Sequence, residues 1–173
     1  MAPSKATTTW HSVTETALGE LTLVRTADGL SGVYFPQHWY RPDPTAFGPR
    51  DDHGFDDAVA QLHEYLAGER CEFTLPRVCN GDRLQMQVWE LVARIPYGET
   101  TSYGALAAGL GHDITAQQVG AAVGRNPLSI VVPCHRVVGS TGKLTGYAGG
   151  LARKRYLLDL ESGLWSLTGA DRR

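Results

Sequence analysis

The sequence predicts an α+β fold in two units, on three observations. Before residue 79, short runs of alternating or β-branched residues are broken by glycine and proline turns and surround one amphipathic stretch. After residue 80, apolar residues recur at helical spacing. Two of the helical stretches there are separated by a short glycine-containing turn, the pattern of a helix-turn-helix unit. At 173 residues the chain can bury a good core, as one domain or two small ones. The expected division is residues 1–79 and residues 80–173, with Cys79-Asn80-Gly81-Asp82 as the linker.

Taken in order, Trp10 to Thr16 reads as the first strand. Leu21-Thr22-Leu23-Val24 alternates and reads as the second, followed by a turn at Ala27-Asp28-Gly29. Gly32-Val33-Tyr34-Phe35 is the third, stopped by Pro36. The stretch from His38 to Gly54, with Pro42, Pro44 and Pro49, reads as a loop. Phe55, Ala58, Val59, Leu62 and Leu66 mark one helix face, which Gly68 can end. Cys71 to Leu75 reads as a short strand. Strands packed with one helix make a small mixed layer.

In the second unit, Leu84, Val88, Leu91, Val92 and Ile95 mark an amphipathic helix closed by Pro96 and Gly98. Thr101 to Leu110 reads as a second helix, and Gly111-His112-Asp113 as a turn. Thr115 can cap a third helix running to about Arg125, which Asn126-Pro127 ends. A strand-like segment then leads to Cys134. Gly139-Ser140-Thr141-Gly142 is a tight turn, and Leu151 to Leu160 is the last helix.

No apolar run is long enough to span a membrane, and Met1 to Thr7 lack the apolar core of a secretory signal. A cytoplasmic location is expected. The three cysteines, Cys71, Cys79 and Cys134, are odd in number and far from a CxxC spacing. That argues against a disulfide framework or a zinc cage, so no metal is expected. Cys71 and Cys79 read as packing residues. The net charge of −2 hides a division: residues 1–79 hold 6 Lys/Arg and 11 Asp/Glu, residues 80–173 hold 10 and 7. A basic second half fits a polyanionic partner, but the imbalance is too small to establish one.

The richest stretch is Val132-Pro133-Cys134-His135-Arg136-Val137. The thiolate is the nucleophilic form of cysteine, and neighbouring cationic or hydrogen-bonding groups favour it. A Cys-His pair by itself is as often a buried structural cysteine beside an unrelated histidine. The preceding helix, Gln117-Gln118-Val119-Gly120-Ala121-Ala122-Val123-Gly124, is Ala- and Gly-rich past its first turn. Such residues allow close approach to another surface, a helix or a nucleic acid, but they cannot read base edges.

The run from Asn126 to Val137 resembles the active-site signature of the O6-alkylguanine-DNA alkyltransferases. Ile95-Pro96-Tyr97-Gly98-Glu99-Thr100, Ser102-Tyr103, Val119-Gly120, Gly146-Tyr147-Ala148-Gly149-Gly150-Leu151 and Glu161 are similar to the same family. The resemblance is specific from about Leu84 to Glu161 and weak before that. It implies a ribonuclease-H-like N-terminal α/β layer followed by a C-terminal winged helix-turn-helix domain. It also implies direct reversal of O6-alkylguanine damage. The alkyl group passes once to Cys134, with no cofactor, because a thioether offers water no acyl carbon to attack.

The resemblance further implies roles. His135 takes the thiol proton through a water, oriented by Glu161. A direct link is unexpected if the segment is extended, since adjacent side chains then point to opposite faces. Asn126 ties the small-residue helix to the active-site loop, although it also reads as a helix C-terminal cap. Tyr103, otherwise a core aromatic with a wet hydroxyl, crowds the 3′ phosphate and reaches the base. Carbonyls of Cys134 and Val137 and the amide of Ala148 hold the base edge, and Tyr147 walls the alkyl pocket. Ala148 stands where many relatives have Ser, and Ser129 where some have Pro. Lys154 lies near the site, and Arg136 ties the loop to the protein body.

The implied partner is double-stranded DNA, bound by a monomer, or cooperatively, through the minor groove without sequence preference. The base is flipped out of the stack to be reached. Gln117, Gln118, Gly120, Ala121, Gly124, Arg125 and Ser140 are the implied DNA-contacting residues. Gln117 replaces the family's stack-inserting arginine. Three rivals remain at this point. A non-catalytic alkylated-DNA binder would have its cysteine replaced. A cysteine hydrolase would turn over esters or amides. A transcriptional regulator would need base-reading side chains that the helix lacks.

Overall fold

The computed structural model describes residues 7–163. The amino-terminal residues read above for a secretory signal lie, up to residue 6, outside the described part. Three antiparallel strands, β1 (Trp10–Thr16), β2 (Gly19–Arg25) and β3 (Leu30–Tyr34), form a sheet in the order β1-β2-β3. β2 is buried from Leu21 to Val24, so the alternation seen in sequence sits at the centre of the sheet. Gly29 is required at the β2–β3 turn. Its φ is +153°, and a Cβ there would stand 2.6 Å from the Pro76 carbonyl oxygen.

Helix α1 (Asp56–Leu66) follows. Asp56 and Asp57 in its first turn favour the positive end of the helix dipole. Its inner face buries Ala58, Leu62, Tyr65 and Leu66. The loop before it contains a 3-10 turn at Pro44–Phe47.

The expected strand at Cys71 to Leu75 is absent. The Gln61 side chain takes the hydrogen bonds that a partner strand would offer: its Oε1 accepts from the Thr74 amide (2.9 Å) and its Nε2 donates to Thr74 Oγ1 (3.1 Å). Just beyond this stretch, Arg77 makes an isolated bridge to the sheet at Leu30. Cys71 is exposed and does not pack, in contrast to the sequence reading, whereas Cys79 is partly buried against the core.

The second unit begins with α2 (Arg83–Ala93), started by a capping box of Asp82 and Gln85. The next helix begins two residues later than expected. Thr101–Ser102 is instead a short strand, β4, paired in parallel with β5 (Val137–Val138). Ser102 then caps α3 (Tyr103–Leu110). Thr115 caps α4 (Ala116–Gly124), and α5 spans Leu151–Glu161. The Trp89 indole N–H donates to the Ala122 carbonyl at 2.8 Å, which fixes α2 against α4.

One apolar cluster runs from the sheet through α1 to the second-unit helices, including Leu23, Val33, Leu62, Val88, Val119 and Leu157. β3 also holds the segment before Cys134: the Val33 amide donates to the Pro127 carbonyl at 2.8 Å. Among the described residues no helix is long and apolar enough to cross a membrane.

Candidate active site

The segment from Pro127 to Pro133 is not the strand expected from its β-branched residues. It doubles back on itself: the Val132 amide donates to the Leu128 carbonyl, and the Cys134 amide to the Val132 carbonyl, each at 2.8 Å. Ile130 sits at φ +73°, a left-handed conformation that costs a β-branched residue on the order of 1–3 kcal/mol. Asn126 holds the coil. Its Nδ2 donates to the Val132 carbonyl (2.9 Å) and its Oδ1 accepts from the Leu128 amide (3.0 Å). Asn126 is therefore a clamp between α4 and this loop, while Arg125 occupies the helix C-cap.

Cys134, His135 and Arg136 form one 3-10 turn. The chain is not extended there, so the expectation that neighbouring side chains point to opposite faces does not apply. All three side chains are buried. Glu161, the last residue of α5, gathers the turn. His135 Nε2 lies 2.8 Å from Glu161 Oε1. Arg136 donates through Nε (2.8 Å to Oε2) and Nη2 (2.7 Å to Oε1), and its Nη1 donates to the Ile95 carbonyl at 2.5 Å. The Tyr65 hydroxyl of α1 donates to Glu161 Oε1, and the Gly98 amide to Oε2 at 3.3 Å.

These partners fix the protonation states. Burial alone would raise Glu161, but hydrogen bonds from His135 and Arg136 outweigh it and bring its pKa to about 2. The carboxylate only accepts, so His135 Nε2 carries the proton and Nδ1 is a bare acceptor. Nδ1 is buried and has no hydrogen-bond partner among the described residues. Burial lowers the His135 pKa despite Glu161, which favours the neutral ring. Burial likewise pushes the Cys134 thiol up, with Asn126 and the Lys154 ammonium acting against it.

Lys154 is buried, and its Nζ donates to the carbonyls of Val137 (2.5 Å) and Gly146 (2.9 Å). It ties the Cys134 turn to the loop carrying Tyr147 and Ala148. Burial lowers its pKa to about 8, although nearby Cys134 raises it.

Cys134 opens onto a cavity of about 430 Å³. Tyr103, Tyr147 and Ala148 line it, together with Gln117, Gly120 and Gly124 of α4. Gly120 is packed against Tyr103, with its Cβ position 3.7 Å from the ring. Val137, Ser129 and Lys154 stand behind the lining, fully buried. The Val137 carbonyl is already held by Lys154 but keeps a second lone pair. The Ser129 and Tyr147 hydroxyls are buried without a geometric hydrogen-bond partner.

Of the residues expected to meet DNA, Gln117, Ala121, Arg125 and Ser140 are exposed. Gln118 is exposed too, but its side chain turns back: Oε1 accepts from the Thr115 amide at 2.8 Å. It caps α4 and is not extended toward a partner. The sequence reading did not mark Tyr65, although it shares the helix face of Ala58 and Leu62, nor Trp39 and Thr145, which join the cavity from two loops. Among the described residues no group of His, Cys, Asp and Glu is placed to hold a metal ion.

The model for the 6-O-methylguanine DNA methyltransferase DNA binding domain matches residues 83–163, and that for the ribonuclease-like domain of the same family matches residues 10–77. The chain is 45% identical over 147 residues to a methylated-DNA–protein-cysteine methyltransferase of Mycobacterium tuberculosis, covering 85% of this chain and 88% of that protein. It is 39% identical over 156 residues to the constitutive protein of that name from Bacillus subtilis, covering 88% and 94%. The crystal structure of Mycobacterium tuberculosis OGT in complex with DNA superposes with a TM-score of 0.82 at 41% identity, covering 89% of this chain and 93% of that one.

Proposed function

Because this chain belongs to the 6-O-methylguanine DNA methyltransferase family, we propose that Cys134 is the sulfur that receives the alkyl group. The protein binds DNA and repairs it by direct reversal, moving an alkyl group from the damaged base to a cysteine. The observation that carries the assignment is Cys134 itself. Of the three cysteines it alone lines the cavity, and it is backed by the His135–Glu161 pair.

The substrate is O6-alkylguanine, flipped into the cavity because the attacked carbon is inaccessible inside the stack. Cys134 Sγ forms a bond to the alkyl carbon as the carbon–O6 bond breaks, and that electron pair stays with the purine. The thiol proton leaves toward His135 Nδ1, through water, and the departing purine takes up a proton to become guanine. Glu161 keeps the proton on Nε2 so that Nδ1 can accept. Tyr103 offers its hydroxyl to the purine, and Ala148 its amide to O6. The thioether product persists, so each chain acts once.

Binding runs through the minor groove, with α4 against the backbone and Gln117 filling the gap left by the flipped base. The protein acts as a monomer in the cytoplasm. The boundary between residues 79 and 80 is supported by the gap between the two matched stretches. The intact cysteine weighs against a non-catalytic lesion binder. The test is single-turnover repair of a duplex carrying one O6-methylguanine, followed by nucleoside analysis. Guanine is expected in amounts matching the protein added, and Cys134→Ser should yield none. Guanine formation by Cys134→Ser would remove Cys134 from its assigned role.

A further inference from the structure

We infer that Trp39, from the first half of the chain, is a specificity-determining wall of the substrate cavity, the face on which a flat aromatic O6 substituent stacks. This rests on the reading of Cys134 as the alkyl acceptor.

Trp39 is 54% exposed and its neighbour Tyr40 60%, yet both are held in place. The Trp39 amide donates to the Ala148 carbonyl at 3.0 Å, which joins this loop directly to the cavity wall. Tyr40 adopts a left-handed backbone (φ +54°), and its ring lies 4.0 Å from the Arg125 guanidinium at the end of α4. Arg41 secures the other side, donating to the Pro36 carbonyl (3.1 Å) and to Thr22 Oγ1 (3.0 Å). His38 is buried against the rings of Tyr34 and Phe35. A loop tip pinned on both sides presents its indole in one orientation, with little entropy left to lose on binding.

The indole spans two glycines. A Cβ at Gly124 would lie 3.9 Å from its six-membered ring, and one at Gly146 3.3 Å from it. Trp39 thus bridges α4 and the loop before Tyr147. The reacting carbon must sit at Sγ of Cys134, a residue 3% exposed that lines the cavity. A methyl group ends at that carbon. A benzyl group extends by one ring further into the cavity, where Trp39 is, among the described residues, the only lining aromatic more than half exposed. Aromatic stacking there favours the benzyl substrate without changing the bonds made and broken.

The experiment is a set of single-turnover rates on duplexes carrying O6-methylguanine or O6-benzylguanine, for the wild type, Trp39→Ala, Trp39→Leu and Trp39→Phe. The benzyl-to-methyl rate ratio is expected to fall about tenfold in Trp39→Ala and Trp39→Leu, and to stay within about threefold of wild type in Trp39→Phe. Thermal melts check folding, and Trp39→Leu carries the comparison if Trp39→Ala does not fold. An unchanged ratio overturns the assignment, including the case in which both rates fall together. A wild type that transfers neither group would instead refute Cys134 as the acceptor.

Discussion

The turn carrying Cys134 has an inner side and an outer side, and their polar groups are treated differently. On the inner side Glu161 receives Tyr65, His135, Arg136 and the Gly98 amide, and its charge is met by that of Arg136. On the outer side the cavity presents aromatic rings, glycines and an exposed Gln117. The inner polar groups are paired with one another within the chain, whereas the outer ones face the cavity. Burial pushes the Cys134 thiol up, with Asn126 and Lys154 acting against it.

Breaking the inner side should have the largest effect. Glu161→Ala leaves Arg136 buried without its counter-charge and His135 without its orienting acceptor. A loss of about 3–5 kcal/mol is expected, measured by urea denaturation, together with loss of transfer. A variant that kept wild-type stability would show that the inner network is dispensable.

The same network sets an acid limit. The folded-state pKa of Glu161 is depressed from 4.5 to about 2. Its contribution is therefore complete above about pH 4.5 and is lost as pH falls toward about 2. The size is on the order of 3 kcal/mol. Stability measured from about pH 6 to about pH 3 should drop more steeply in the wild type than in Glu161→Gln. Parallel curves would place the acid sensitivity elsewhere.

On the outer side the effects should be confined to DNA. Gln117→Ala is expected to slow repair in duplex DNA about tenfold while sparing reaction with free O6-benzylguanine, which needs no flipping. Gln117→Arg should preserve or improve duplex repair, because it adds a charge near the phosphates. Equal slowing of both substrates by Gln117→Ala would point to damage in the cavity instead. The smallest effect belongs to Gln118. Its side chain caps α4, so Gln118→Ala should cost about 0.5–1 kcal/mol of stability and leave DNA affinity near wild type. A large loss of affinity would return Gln118 to the interface.

The sequence left gaps on both sides, Tyr65 on the inner and Trp39 on the outer. The helix boundaries around α4 were readable because Thr115 and Asn126 are strong local signals, and the cysteine motif marked the turn. Tyr65 was readable only as a core-face residue: its partner Glu161 lies 96 positions away in sequence, and nothing local marks that contact. Trp39 was hidden for the same reason, inside a proline-containing loop whose partner is a backbone carbonyl in the other half. The stretch from Pro127 to Pro133 misled because β-branched residues favour strands. Here the Asn126 clamp and the left-handed Ile130 override that preference. Cys71 misled because cysteine is usually buried, whereas the strand meant to carry it inward does not form.

The most direct measurement is intact and peptide mass analysis of the protein after mixing with excess duplex containing O6-methylguanine. One methyl group per chain is expected, on the peptide holding Cys134, with repair stopping when the protein is consumed. Methyl groups on Cys71 or Cys79, or guanine continuing to form beyond one equivalent of protein, would contradict a single-use acceptor at Cys134.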